Sequence, residues 1–427
     1  MGKRILLYGA TGYSGGLIAE EAVRRWGNDS ALSGNQFVLA SRDARQLRRV
    51  AERLKLPWRS FGLDERTSAV RDIDGFDVVI NAAGPFAATG ERLAKACIET
   101  GTHYVDINGE VDVYKRLDDL GRNARQRRVT LVCGAGQTAT VSNVMLHKAL
   151  EHLKQAGLEP ATVRIAASRL AHVSRGSART MMRSIREQVA LVRGGYDDET
   201  KGWRLRLSHA PVGRLERTFD FTLAGDAPLE DGRDRFGRRI ASAANLIDTL
   251  VAKRTAETLG VDLDAIESYL EMPNSLRIGY QLGALSAGVF ALPWVRRLNQ
   301  WQIDQLPEGP TPAERGASRH RVLLEIEDRC RELLIDWRIE TPDPYEFTAR
   351  SALAVANELA SKGRNVDAGW QPPAAIIAGS VGGWSFEPQP RAGTLRQWPF
   401  DGCRFDPVRT AAFSPAGGAA MVEGMSS

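Results

Sequence analysis

The stretch Lys3-Arg-Ile-Leu-Leu-Tyr-Gly9-Ala-Thr-Gly12-Tyr-Ser-Gly15-Gly-Leu-Ile-Ala-Glu-Glu21 decides the fold of this chain. The apolar run Ile5 to Tyr8 reads as a buried strand. Three glycines then follow at Gly-x-x-Gly-x-x-Gly spacing, and an alanine-rich helical pattern begins at once. Strand, glycine turn and helix in this order form a dinucleotide-binding fingerprint, in the variant with two residues between the first glycines. Gly9 turns the chain tightly out of the strand. Gly12 lets backbone approach a pyrophosphate, and Gly15 lets helix and strand pack closely. The pyrophosphate would rest on the N–H groups that a helix start leaves free. An ordinary tight turn is the alternative reading.

Moving outward, the next strand is Gln36-Phe-Val-Leu-Ala-Ser41-Arg42, followed by a charged helix from Asp43 to Leu54. The end of this strand meets the adenosine ribose, where an acidic residue selects NAD and an arginine accommodates the 2′-phosphate of NADP. Ser41-Arg42 argues for NADP(H). Asp43 is expected to cap the helix, and it leaves NAD open as the alternative. A third strand, Phe76-Asp-Val-Val-Ile-Asn81, runs into Ala82-Ala-Gly84-Pro85, small residues that admit a flat ligand, or else a plain turn. Two more strand-like runs lie at His103-Tyr-Val-Asp-Ile and Val129 to Gly136, with a helix containing Tyr114 to Gln126 between them. Strands alternating with helices give a parallel sheet covered on both faces. The expected fold is α/β, a Rossmann doubly wound parallel sheet, with a second α+β domain on a mostly antiparallel sheet.

The chain has 427 residues, too many for one ordinary core, so at least two domains are expected. Hydrophobic residues at 43% and charged residues at 26% give a globular balance. The net charge of +5 favours anionic ligands mildly, and a solvated basic surface explains it equally well. No zinc finger or basic repeat is present, so no nucleic-acid partner is expected. Cys97, Cys133, Cys330 and Cys403 are scattered without metal-ligand spacing. They read as reduced thiols in a cytoplasmic protein, and no metal site is expected. Met1-Gly-Lys-Arg leads straight into the first strand, so no signal peptide is expected.

Four segments occur in order: Gly9-Ala-Thr-Gly-Tyr-Ser-Gly, Ala40-Ser-Arg, Asn81-Ala-Ala-Gly-Pro-Phe and Gly101-Thr-His-Tyr-Val-Asp-Ile-Asn-Gly-Glu110. Together they resemble the saccharopine dehydrogenase-like oxidoreductases, most of all the branch with the trans-acting enoyl reductases of bacterial polyketide-lipid assembly. Leu306-Pro-Glu-Gly-Pro-Thr-Pro-Ala-Glu-Arg-Gly and Tyr345-Glu-Phe-Thr-Ala-Arg-Ser-Ala resemble later segments of that branch. The chain departs from it at Gly134-Ala-Gly-Gln-Thr-Ala-Thr, where relatives commonly carry Gly-Phe-Asp-Ser-x-Pro. The resemblance implies an NADP-dependent reductase acting on a C=C or C=N bond of a hydrophobic, lipid- or polyketide-derived substrate, working as a homodimer.

Beyond residue 150, Val163 to Leu170, Trp203 to Leu207, Glu216 to Leu223, Arg321 to Glu327 and Glu332 to Glu340 alternate like strands. Ser174 and Ser177 open a helix, as caps or as an anion seat. The expected organisation is an NADP-binding domain over 1–150 and a substrate and dimerisation domain over 151–345. Helices over 346–427 then return to the first domain and end in a loose tail after Pro407. The basic cluster Arg233 to Arg239 reads as an exposed loop, with contact to a phosphopantetheine or coenzyme A phosphate as the functional alternative. Ile278 to Val295 carries no charge and is bounded by Arg277 and by Arg296-Arg297. Its length is borderline for a span of about 20 residues, and Pro293 ends it early. The Gly279–Gly283 spacing fits packed membrane helices but is common by chance. This stretch is expected to shape a greasy pocket or to make peripheral membrane contact.

The residues assigned to the cofactor are Gly9, Thr11, Gly12, Tyr13, Ser14, Gly15, Ser41, Arg42, Ala82, Ala83, Gly84 and Pro85. A bound nicotinamide carries the hydride chemistry, so the protein need only hold the acceptor and supply a proton. Candidate catalytic residues are His103, Asp106 and Glu110, with Tyr104 beside them; capping or orienting the loop is the plainer role for each. Tyr104 and Tyr114 each lack a lysine four residues on, so no short-chain-dehydrogenase pair is present. That gap keeps a second class of function open, a non-catalytic NADP-binding sensor or scaffold.

Overall fold

The structure is a computed structural model and describes residues 2–27, 36–64, 66–184, 189–210, 215–223, 225–226, 237–244, 247–271, 293–377 and 404–410. Arg277, the charge-free stretch as far as residue 292, the basic cluster as far as Phe236, and the tail beyond 410 lie outside these residues.

The first half alternates strand and helix: β1 (Arg4–Tyr8), α1 (Tyr13–Trp26), β2 (Gln36–Ser41), α2 (Ala44–Leu54), β3 (Trp58–Ser60), α3 (Arg66–Ile73), β4 (Val78–Asn81), α4 (Phe86–Thr100), β5 (His103–Asp106), α5 (Val111–Asp119), α6 (Gly121–Gln126), β6 (Thr130–Val132) and α7 (Gln137–Gln155). The helix expected around Tyr114 is thus two helices that meet at Leu120. In β1, Ile5 and Leu7 face one hydrophobic core while Leu6 and Tyr8 face the other. A parallel strand buried on both sides cannot alternate with polar residues, which is why it reads as an unbroken apolar run. Helix α2 shows the complementary pattern. Leu47, Ala51 and Leu54 are buried at helical spacing among arginines that face water.

A second set follows: β7 (Thr162–Ala167), α8 (Arg175–Ser184), β8 (Val189–Asp197), β9 (Gly202–Ala210), β10 (Glu216–Asp220), β11 (Arg238–Ala243), α9 (Asp248–Leu259), β12 (Ala265–Glu271), α10 (Pro293–Asp304), α11 (Pro312–Ala317), β13 (His320–Glu327), β14 (Leu333–Thr341), α12 (Pro344–Lys362), β15 (Gly369–Gln371), α13 (Pro373–Ile377) and β16 (Arg404–Thr410).

The strands form two sheets. The first has seven parallel strands in the order β15-β6-β5-β4-β1-β2-β3, the doubly wound order with one strand added. The second has nine strands and is antiparallel except where β12 runs beside β7. This is the expected α/β architecture. One continuous core joins the sheets: Ile5 and Leu7 of β1, Met145 and Leu150 of α7, Ile165 of β7 and Trp337 of β14 belong to it.

The domain limits differ from the expected ones in detail. Position 150 falls inside the single helix α7. The return to the first sheet includes a strand as well as helices: α12 packs on α1 and β4, and β15 pairs with β6. The chain then crosses back, and β16 pairs with β14 in the second sheet. Residues 404–410 are therefore a strand, where the sequence reading places the start of a loose tail.

Candidate functional site

Strand register brings the motifs to one line. Tyr8 stands beside Ala40 and Asn81, and Asn81 stands beside Asp106. The loops that follow these strands share the carboxyl edge of the sheet, where open α/β sheets bind ligands at the point of strand-order reversal. Here that point lies between β1 and β4.

The glycine turn is built against this edge. Gly9 has φ +93°, and a Cβ there would lie 2.5 Å from the Ala83 nitrogen. A Cβ on Gly15 would lie 2.1 Å from the Gly9 carbonyl oxygen. Backbone fills both places, so only glycine fits. Gly12 is different: it is exposed, and a Cβ there would touch only the Gly9 oxygen at 3.4 Å. It is also the N-cap of α1, and no side chain caps that helix. The first N–H groups of α1, on Tyr13, Ser14 and Gly15, therefore face outward without an intrahelical acceptor, a seat for a diphosphate.

The β2 end completes the seat. Thr11 and Ser41 join hydroxyls at 3.1 Å and tie the turn to the second strand. Asp43 accepts the Gln46 N–H at 3.0 Å and caps α2, so its carboxylate is spent on the helix. Arg42 is exposed, and among the described residues no carboxylate pairs with it. An uncommitted guanidinium beside a committed carboxylate suits a ribose 2′-phosphate better than a free 2′-hydroxyl. The residues present fit NADP(H).

At the β4 end, Ala82 is buried, Ala83 is half-buried, and Gly84 and Pro85 are exposed at the start of α4. A buried polar chain holds this loop. Asn81 Oδ1 accepts the Ala83 N–H at 3.1 Å, and Asn81 Nδ2 donates to the Tyr104 hydroxyl at 3.0 Å. The Tyr104 hydroxyl donates to Asp106 Oδ2 at 2.9 Å, while Asp106 Oδ1 accepts the N–H groups of Asn108 and Gly134 at 3.0 and 2.8 Å. Burial raises the Asp106 pKa to about 6, against these three donors, which lower it. The two loops after β5 and β6 thus hang from one carboxylate.

The three candidate catalytic residues divide. Asp106 is fully buried and serves backbone. The Glu110 carboxylate accepts the N–H groups of Phe86 and Ala87, both at 3.2 Å, and so caps the start of α4. His103 does not join them. It begins β5 beside Val78, about 10 Å of strand away from the site edge. Its Nδ1 accepts the Thr130 N–H at 3.0 Å and its Nε2 lies 3.1 Å from the Gly363 carbonyl. Burial lowers its pKa, so the ring is neutral and structural.

Several further participants gather on Tyr13, drawn from segments that the sequence singles out without placing them at the site. At the start of α1 that residue donates its hydroxyl to the Pro310 carbonyl at 2.6 Å and receives Arg315 Nη1 at 3.1 Å. Gly309 lies so close to the Tyr13 ring that a Cβ would sit 2.5 Å from it. The Gly-Pro segment before α11 therefore covers the first turn of the dinucleotide helix. Tyr345 packs edge-on against Tyr13 at 5.2 Å and accepts the Ser174 N–H at 2.6 Å. The Ser174 hydroxyl in turn accepts the Ser177 N–H, so these serines cap α8. At the start of α7, Gln137 Nε2 donates to His320 Nδ1 at 2.8 Å. Burial drives the His320 pKa down to about 4, which keeps its ring neutral at pH 7. The pairings between elements span 171 residues for Ser174 and Tyr345 and 297 for Tyr13 and Pro310. Among the described residues no cluster of His, Cys, Asp and Glu is arranged to hold a metal ion.

Fold and site together define a Rossmann-type dinucleotide-binding protein. More particularly, residues 5–155 match the family model of the saccharopine dehydrogenase NADP binding domain. A trans-acting enoyl reductase of Mycobacterium leprae is 33% identical over 150 residues, covering 33% of this chain and 34% of that protein. A saccharopine dehydrogenase-like oxidoreductase of Bos taurus is 30% identical over 117 residues, 25% of this chain and 27% of its own. A lipid droplet localized protein of Caenorhabditis elegans is 30% identical over 145 residues, 31% of this chain and 32% of that one. The similarity spans about a third of the length of these relatives or less. Saccharopine dehydrogenase (L-Glu forming) of Saccharomyces cerevisiae shares the fold, with a TM-score of 0.55 at 11% identity over 88% of this chain and 95% of that chain.

Proposed function

We propose that the chain is an NADP(H)-dependent oxidoreductase that reduces a C=C or C=N bond of a hydrophobic, lipid- or polyketide-derived substrate. The observation that carries this reading is the uncapped start of α1, with the uncommitted Arg42 at the neighbouring strand end. The names of the mycobacterial enoyl reductases favour a C=C bond, and that of the nematode lipid droplet protein favours a greasy substrate. When bound, the nicotinamide supplies the hydride. The chain supplies position: the N–H groups of α1 take the diphosphate, Arg42 the 2′-phosphate, and Ala82 to Pro85 the floor beside the dihydropyridine. The Gly309-Pro310 segment, locked by Tyr13 and Arg315, lies against the first turn of α1 on the Tyr13 side.

Asp106 and Glu110 hold backbone and His103 stands at the far edge, so none of them is placed to protonate a substrate. In a reductase of this build the proton comes from water. The same observation favours a second reading, a sensor that binds NADP(H) without turnover. A panel of enoyl thioesters, enals and imines, followed by the loss of NADPH absorbance, separates the two. Oxidation of NADPH by one class supports the reductase. Tight NADPH binding with silence across the panel selects the sensor.

A further inference from the structure

Helix α10 has two apolar faces. Val295 and Ile303 are buried, and α10 packs on α8. On the other side Trp294, Leu298 and Trp301 recur at helical spacing and are 63%, 47% and 60% exposed. Leu306, just past the helix end, is also exposed at 38%. Large apolar side chains so exposed in one row are unusual on a protein surface and mark a contact site. Charges of both signs flank the row, with Glu308 exposed two residues past Leu306. Arg297 is exposed beside it, and Asp304, the helix's one acidic residue, is bound by Arg179 at 2.7 Å and by Gln300 at 2.8 Å.

We infer that this row is a membrane-docking surface that seats α10 in the headgroup region of an anionic lipid bilayer. Three features choose lipid over a second protein. Tryptophan pairs with a neighbouring arginine are the composition of helices that lie in the interface plane, the indole rings at headgroup depth and the guanidinium on phosphate. The four side chains together offer about 400–500 Å², well short of the roughly 800 Å² per partner that a stable protein contact buries. The overall charge of +5 adds long-range attraction to an anionic surface. In sequence the row also continues the charge-free stretch that ends at Val295. No helix among the described residues is long and apolar enough to cross a membrane, and the inference is of peripheral contact. This inference does not rest on the reading of the nucleotide site.

The test is flotation with vesicles of phosphatidylcholine alone and of phosphatidylcholine with phosphatidylglycerol in equal parts, at low and high salt. Wild type is expected to float with the anionic vesicles at low salt, and lipids brominated near the headgroup should quench its tryptophan emission. The doubly substituted Trp294→Gln, Trp301→Gln protein should lose at least tenfold in partitioning, with its melting temperature and NADPH titration unchanged. Absence of flotation and quenching in wild type overturns the inference. So does a double variant that floats as well as wild type. A wild-type dimer in sedimentation velocity that the double variant converts to monomer, without lipid binding by either, assigns the row to a second copy and overturns it too.

Discussion

Replacing Gly12 with alanine tests the nucleotide seat apart from the fold. The backbone at Gly12 is extended, φ −83° and ψ 166°, which alanine adopts freely, and the new methyl would touch only the Gly9 oxygen at 3.4 Å. The unfolded chain loses freedom, a gain of about 0.4–1 kcal/mol, while alanine is a poorer N-cap than glycine by about the same amount. Stability should therefore stay within about 1 kcal/mol of wild type. A diphosphate resting on the first N–H groups of α1 would meet that methyl. Losing one or two hydrogen bonds to a charged group costs about 2–4 kcal/mol, or roughly 30- to 1,000-fold in Kd. Gly15→Ala is the contrast: its methyl lands 2.1 Å from the Gly9 oxygen, so backbone must shift and the fold itself loses about 1–3 kcal/mol or more. Urea unfolding and NADPH fluorescence titration on both variants give the comparison. If Gly12→Ala binds NADPH as wild type does, the diphosphate does not sit on α1. If it unfolds like Gly15→Ala, the steric reasoning is wrong.

Arg42→Ala should weaken NADPH about tenfold, a modest loss because the site is exposed, and leave NADH unchanged; equal loss for both cofactors in paired titrations would contradict the 2′-phosphate assignment. Asp248 is buried with Ser142 donating to it at 2.6 Å, and burial raises its pKa from 3.8 to about 6. The folded state then binds the proton more tightly than the unfolded one, so stability falls as pH rises from about 4 through 6. At pH 8 the full penalty applies, about two pKa units or roughly 3 kcal/mol at most. Asp248→Asn should accordingly stabilise the protein at pH 8 and lose that advantage near pH 4; urea melts at both values decide, and a destabilised variant at pH 8 would refute the sign. Arg315→Ala removes the donors to Tyr13 and Pro310 and the pair with Glu346. A stability loss of about 1–3 kcal/mol and faster NADPH release in stopped flow are expected; release at the wild-type rate would mean that the segment does not cover the cofactor.

The first sheet was legible because its signals are local. Ile5 to Tyr8 are apolar since both faces of β1 are covered, and the glycines are required by backbone contacts a few residues away. Ser41, Arg42 and Asp43 could be read against the strand they end. The strand β15 gave no such signal. Its three residues, Gly369–Gln371, are placed by packing, with Trp370 edge-on to Tyr114 at 4.7 Å and the Arg254 guanidinium 5.5 Å from its ring. His103 shows the opposite difficulty. It lies three residues from Asp106 in one motif, yet a strand carries the two to opposite edges of the sheet. Linear nearness in a motif does not mean nearness at a site. Tyr13 was assigned to the cofactor from its place in the turn, whereas its partners Gly309, Pro310 and Arg315 depend on a contact nearly 300 residues away.

The polar residues of the strand-end motifs share one task. Asn81, Tyr104, Asp106, Asn108 and Glu110 each place a side chain on a neighbouring backbone group or on one another, and together they fix the loops after β4, β5 and β6. A loop fixed before the ligand arrives loses less entropy on binding, so these residues can act on affinity and geometry without touching the reacting atoms. Removing one leaves a buried partner unsatisfied, which costs more than the bond itself contributes. Substitutions there should therefore lower stability and cofactor affinity together. On the proposed reading, residues that choose the substrate are to be sought around Ser174, Tyr345 and His320. Those positions lie beyond residue 155, where the match to the NADP-binding domain ends. The division gives a clear expectation: exchanges at Ser174 or His320 should alter which compound is bound while NADPH titrates as before, whereas exchanges in the 309–315 segment should alter NADPH release.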